Sequence, residues 1–77
     1  MENLETLASA VSRTLFQLEV PYDAIRIDAQ DGSVVINGVP AQAPRAALDH
    51  AFRQARLRVD TRPAGPGFQI RVHPTQG

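Results

Sequence analysis

The 77-residue chain reads as an α+β domain with two helices packed on one face of a four-stranded, mostly antiparallel sheet, in the order α-β-β-α-β-β. Three observations predict it. Apolar residues recur at helical spacing over 2–19 and again over 44–55. Four short runs, around 25–28, 34–36, 57–61 and 68–72, alternate with the period of half-buried strands. Glycine and proline punctuate the joins, at Asp31-Gly32 and at Pro63-Ala64-Gly65-Pro66-Gly67. Residues 1–77 are read as one small domain: helix 2–19, hairpin 24–38, helix 44–55, hairpin 56–73 and a frayed tail, 74–77.

In the first helix, Leu4, Leu7, Ala8, Val11, Leu15 and Leu18 form one apolar stripe. Asn3 suits the N-cap, Glu5 suits the positive end of the helix dipole, and Pro21 is expected to end the helix. Ile25 and Ile27 then alternate with Arg26 and Asp28, and Asp31-Gly32 predicts a tight turn. Val34 and Ile36 resume the alternation, Val35 falls on the other face, and Asn37-Gly38 is expected to close the strand. Pro44 suits the first turn of the second helix, whose Ala47, Leu48, Ala51, Phe52 and Ala55 make a narrow stripe. Arg45, Asp49 and Arg53, spaced by four, allow weak ion pairing along its opposite side.

Leu57, Val59 and Thr61 alternate against Arg58, Asp60 and Arg62 in the third strand. Phe68, Ile70 and Val72 alternate against Gln69, Arg71 and His73 in the fourth. The predicted core therefore joins Ile25, Ile27, Val34, Ile36, Leu57, Val59, Phe68, Ile70 and Val72 to the helices. The reverse face would show Arg26, Asp28, Val35, Asn37, Arg58, Asp60, Gln69, Arg71 and His73, open to water or to a partner. Arg26-Ile27-Asp28 reappears as Arg58-Val59-Asp60, so the chain resembles two αββ units, by duplication or by the common grammar of hairpins.

A chain this short buries a modest share of its surface. It has no cysteine for a disulfide, and its two histidines lie in different predicted elements, so self-association or a partner is the expected support. Net charge is zero but unevenly spread: residues 1–31 carry −4 and residues 32–77 carry +4. Opposite charge on the two halves favours head-to-tail contact or an acidic partner. All eight basic residues are arginine, which fits either a GC-rich coding sequence or bidentate recognition of carboxylate or phosphate. The first residues, MENLETLASAV, lack the basic start and apolar run of a secretory signal, and this with the absence of cysteine predicts a cytoplasmic protein.

From Ala24 onward the chain resembles the BON domain, a small αββαβ module. Ile25-x-Ile27, Asp31-Gly32-x-Val34-x-Ile36-x-Gly38-Val39, the alanine-bearing helix 44–55 and Leu57-x-Val59 carry the resemblance. It departs at Gln54-Ala55-Arg56-Leu57, where the pattern usually has Gly-Val, and in its prominent fourth strand. The resemblance implies a non-catalytic binding or assembly role, with phospholipid contact among the settings known for the family, and it transfers no catalytic residue.

No nucleophile motif surrounds Ser9, Ser12 or Ser33, and His50 and His73 read as surface residues. Asp28 and Asp60 would make a carboxylate pair if the first and third strands were neighbours, but the flanking Arg26, Arg58 and Arg71 favour salt bridging. Two scattered histidines make no metal site, and neither a cofactor nor a small-molecule substrate is indicated. Nucleic-acid binding is disfavoured by zero net charge and by an outer face without stacking aromatics. The reading is a non-enzymatic interaction module that contacts a protein partner or further copies of itself through Arg53, Arg56, Arg58, Arg62, Arg71 and Val35. An anionic phospholipid surface is the alternative, and a minimal nucleic-acid binder the third.

Overall fold

A computed structural model describes residues 3–74. Helix α1 (Leu4–Gln17) starts as its sequence dictates: Asn3 is extended, and its Oδ1 accepts the Glu5 N–H at 2.8 Å. It ends earlier than Pro21 alone would require. Glu19 adopts a left-handed φ of 56°, its N–H donates to the Phe16 carbonyl, and the Val20 N–H donates to the Leu15 carbonyl. This is a Schellman closure built without glycine, with Val20 and Leu15 both buried beside it.

Strands β1 (Ala24–Asp28) and β2 (Ser33–Pro40) pair antiparallel. Their connection is four residues long, not a two-residue turn: Asp28 pairs with Ser33, and the Gly32 N–H donates to the Asp28 carbonyl at 2.8 Å. Gly38 does not close β2. It sits at φ 76° within the strand as a bulge, between the pairs Ile36–Ile70 and Val39–Phe68. The extra residue resets the alternation, so that Val39 returns to the helix-facing side and is fully buried.

Helix α2 (Arg45–Gln54) follows Pro44 and buries Leu48 and Phe52. Arg45 places its guanidinium carbon 4.4 Å from the centroid of the Phe68 ring, a cation–π contact. Strands β3 (Leu57–Ala64) and β4 (Gly67–Pro74) form the second hairpin, and its turn is Gly65-Pro66 alone, with Gly65 at φ 60°. Pro74 ends β4, and the rest of the expected tail, residues 75–77, lies outside the described residues, as does the start of the predicted first helix at Glu2.

The sheet order is β1-β2-β4-β3 and every pairing is antiparallel, so the two hairpins meet at β2 and β4. One hydrophobic cluster joins Leu7, Val11 and Leu15 of α1 to Leu48 and Phe52 of α2 and to Val34, Ile36, Val39, Ile70 and Val72 of the central strands. Both helices thus cover one face. Ile25, Leu57, Val59 and Phe68, on or beside the edge strands, pack against the cluster partly buried. Ile27 was expected in the core and is instead 40% exposed: it lies on edge strand β1, next to the hairpin loop, beyond the helices' cover. Among the described residues no helix is long and apolar enough to cross a membrane.

Candidate functional site

The face of the sheet away from the helices is a polar grid. Across it, Arg26, Val35, Arg71 and Asp60 are register neighbours on β1, β2, β4 and β3. Toward the first hairpin loop, Asp28 pairs with Ser33, and Arg58 pairs with His73. Toward the other end, Arg62 pairs with Gln69, whose side-chain amide donates to Asn37 Oδ1 at 3.0 Å.

Arg71 is the centre of this grid. Its guanidinium donates to Asp28 Oδ2 at 3.0 Å, to Asp31 Oδ2 at 3.1 Å and to Ser33 Oγ at 3.4 Å. The Ser33 hydroxyl in turn donates to Asp31 Oδ2 at 2.8 Å, and the Asp31 N–H donates to Asp28 Oδ1 at 3.1 Å. The loop 29–32 is thereby tied to β4, 40 residues away in sequence. The Arg71 hydrogen bond, with help from the Asp31 N–H, holds the Asp28 carboxyl below its ordinary range. The Ser33 hydroxyl and the nearby positive groups do the same for Asp31, and Asp28 raises Arg71 further above its usual value.

His73 departs from its expected place. It is buried, not a surface histidine, with Nε2 lying 3.6 Å from Asp60 Oδ2 and 3.8 Å from Asp31 Oδ2. Among the described residues Nε2 has no hydrogen-bond partner. Asp28 and Asp60 do not form a carboxylate pair, because β1 and β3 are opposite edges of the sheet and Arg71 stands between them. Ser33 is fully buried, and its hydroxyl donates to Asp31 while it accepts from Arg71. Among the described residues no group of three or more His, Asp or Glu is placed to hold a metal ion.

The six expected contact residues divide. Arg58, Arg62 and Arg71 share the open face and, with Asp60 and the Asp28–Asp31 corner, line a shallow polar depression. Arg53 is exposed on α2, on the other side of the sheet. Arg56 sits at the α2–β3 junction with a left-handed φ of 63° and donates its N–H to the Arg53 carbonyl. Val35 is corrected outright. It does lie on the open face, but it is fully buried and separate from the main core, with Arg26 and Arg71 as its register neighbours on either side. It cannot serve as an exposed anchor. The opposite charge of the two chain halves is likewise used internally, where Asp28 and Asp31 of the acidic half meet Arg71 of the basic half.

One feature escaped the sequence reading. Phe16 is 84% exposed and Tyr22 37% exposed, and together they flank an apolar groove floored by Leu15 and Val20. The signal was available: Phe16 falls off the apolar stripe of the first helix, so burial of that stripe requires its exposure. No family model matches the chain, and no curated protein or solved structure is significantly similar to it.

Proposed function

We propose that the protein is a non-catalytic binding module that docks an acidic protein segment on the open sheet face along β3. The observation that carries this reading is the contrast between Arg71, neutralised by Asp28 and Asp31, and Arg58 and Arg62, which are exposed and have no ion-pair partner among the described residues. The internally paired cluster makes a firm floor. The two arginines stand on one face of the edge strand, four residues or about 13 Å apart, with Asp60 between them. Carboxylates four residues apart on an extended segment would meet both guanidinium groups, while Asp60 favours a neutral or basic residue midway.

The balance of charge supports a discrete protein partner over a polyanionic surface. Four arginines on this face (Arg26, Arg58, Arg62, Arg71) stand against Asp28, Asp31 and Asp60. So small an excess gives little pull toward phosphate arrays, whose binding scales with the number of charges neutralised. A second reading, phospholipid contact of the kind the BON resemblance implies, draws on Arg56: its backbone takes a glycine-like φ at the junction where that pattern carries glycine.

The test is a binding titration with a labelled extended peptide carrying glutamates four residues apart, followed by fluorescence anisotropy at two salt concentrations. The proposal expects binding that weakens with salt, is lost in Arg58→Glu/Arg62→Glu, and survives Arg53→Glu. Equal binding by both variants, or none by the native protein, overturns it. Phosphatidylglycerol vesicles and a single-stranded oligonucleotide are run alongside, and preference for either moves the function to that class.

A further inference from the structure

We propose that the free edge of β3 is a self-association site, pairing antiparallel with β3 of a second copy about a two-fold axis at Val59. Strand β3 ends the sheet, so one side of its backbone has no neighbouring strand. The register decides which groups face outward. The two-residue turn Gly65-Pro66 makes Ala64 and Gly67 a hydrogen-bonded pair, and alternation along the ladder does the same for Arg62–Gln69, Asp60–Arg71 and Arg58–His73. Leu57, Val59 and Thr61 therefore turn their N–H and C=O groups away from β4, and among the described residues no loop or helix backbone bonds to them. Pro63 belongs to the same outward set, where its missing N–H leaves the ladder to β4 intact.

Charge and register together select a second copy as the occupant. With Val59 opposite Val59, Leu57 of each copy faces Thr61 of the other, and every one of these pairs exchanges both N–H···O bonds. Arg58 of each copy then lies opposite Asp60 of the other, in non-hydrogen-bonded pairs whose Cα atoms stand about 4.5 Å apart, where cross-strand side chains meet. Both residues are exposed on the open face. On the helix side, Leu57 and Val59 are only partly buried against the core, and the added strand covers them. The neighbouring registers fail. Centring on Asp60 sets Arg58 against Arg62 and Asp60 against itself, centring on Arg58 sets that arginine against itself, and centring on Thr61 brings Pro63 opposite Val59 with no N–H to donate. The Val59 register alone gives the self-complementarity that a two-fold interface demands.

The second copy joins in the plane of the sheet, whereas the acidic segment of the proposed function lies over the open face. Arg58 is common to both, so the test includes a variant that leaves the arginines in place. Pairing at the edge also suits a small domain without disulfides, for which oligomerisation is a common support.

Sedimentation velocity over a concentration series tests it on the full chain, with circular dichroism to verify that each variant is folded. The native protein is expected to show a concentration-dependent monomer–dimer equilibrium, with amide exchange at Leu57, Val59 and Thr61 slowing as the dimer forms. Thr61→Pro should fold, since Pro63 already occupies the equivalent outward position, and should stay monomeric, because it removes an outward N–H from both ends of the ladder. It keeps Arg58 and Arg62 and should still bind the glutamate peptide, so loss of pairing and loss of peptide docking are read separately. Arg58→Asp alone and Asp60→Arg alone should each self-associate about tenfold or more weakly, because each sets like charges opposite one another twice. Mixed in equal amounts, the two variants should recover association to within about threefold of native, since every facing pair is again opposite in sign. A native protein monomeric to millimolar concentration, a Thr61→Pro variant that dimerises as the native protein does, a folded mixture no better than its components, or a dimer whose outward β3 amides still exchange fast would each overturn the proposal.

Discussion

Replacing Gly38 by alanine probes the bulge that sets the phase of β2. Gly38 sits at φ 76°, a conformation that costs an L-residue about 1–2 kcal/mol. A Cβ there would also lie 2.6 Å from Asp23 Cβ and collide with its carboxyl group. Asp23 must then withdraw, which threatens the 2.8 Å bond from its N–H to the Asn37 carbonyl, worth about 1 kcal/mol. The expected loss is about 2–3 kcal/mol, or roughly 10–20 °C in Tm for a domain of this size. Thermal unfolding followed by circular dichroism measures it. Gly32→Ala is the internal control: its φ is 69°, but nothing lies within 4 Å of the added Cβ, so only the conformational cost applies. Equal Tm losses in the two variants, or a Gly38→Ala loss below about 3 °C, would refute the reasoning that the bulge is held by its contact with Asp23.

Three further outcomes are expected. Glu19→Gly should raise stability by about 1 kcal/mol, because glycine takes the left-handed φ of the α1 C-terminus without penalty; urea unfolding at unchanged m-value reports it. Phe52→Ala should cost about 3–5 kcal/mol, a large part of the stability of so small a domain, and a calorimetric scan should show a broadened or missing transition. Asp28 and Asp31 have folded-state pKa values below the ordinary 3.8, so their stabilisation is present above pH 3.8 and is lost as pH falls through the lower folded values. Tm should therefore drop steeply below about pH 4, and Arg71→Gln should flatten that drop; an equally steep drop in the variant would contradict the assigned cause.

The elements were legible because their signals are local. Asn3 caps as its chemistry suggests, the stripe through Leu7, Val11 and Leu15 is buried, and residue parity assigns Val34, Ile36, Ile70 and Val72 to the helix face. What failed was relational. A glycine that ends a strand and a glycine that bulges within it look alike in sequence, so alternation alone places Val39 outside the core it joins. Alternation assigns a face but not a neighbour, so the placement of β1 and β3 at opposite edges was not readable, and with it went the question of Asp28 and Asp60. Arg71 and His73 share the parity of exposed residues, but they lie on the inner strand β4, where the loop carboxylates and β3 side chains close over them. Val35 likewise lies on an inner strand, between its register neighbours Arg26 and Arg71, and is fully buried there without a third layer.

The proposed docking of an acidic protein segment on the open sheet face, floored by Arg71 and lined by Arg58 and Arg62, can be tested residue by residue. Backbone amide shift mapping of isotope-labelled protein, titrated with the peptide carrying glutamates four residues apart, tests it most directly. Docking there should concentrate the changes at residues 58–62 and 69–73 and leave α2 and the Phe16 surface unmoved. Changes centred on Arg53 and α2, or on Phe16 and Tyr22, with β3 silent, would contradict it.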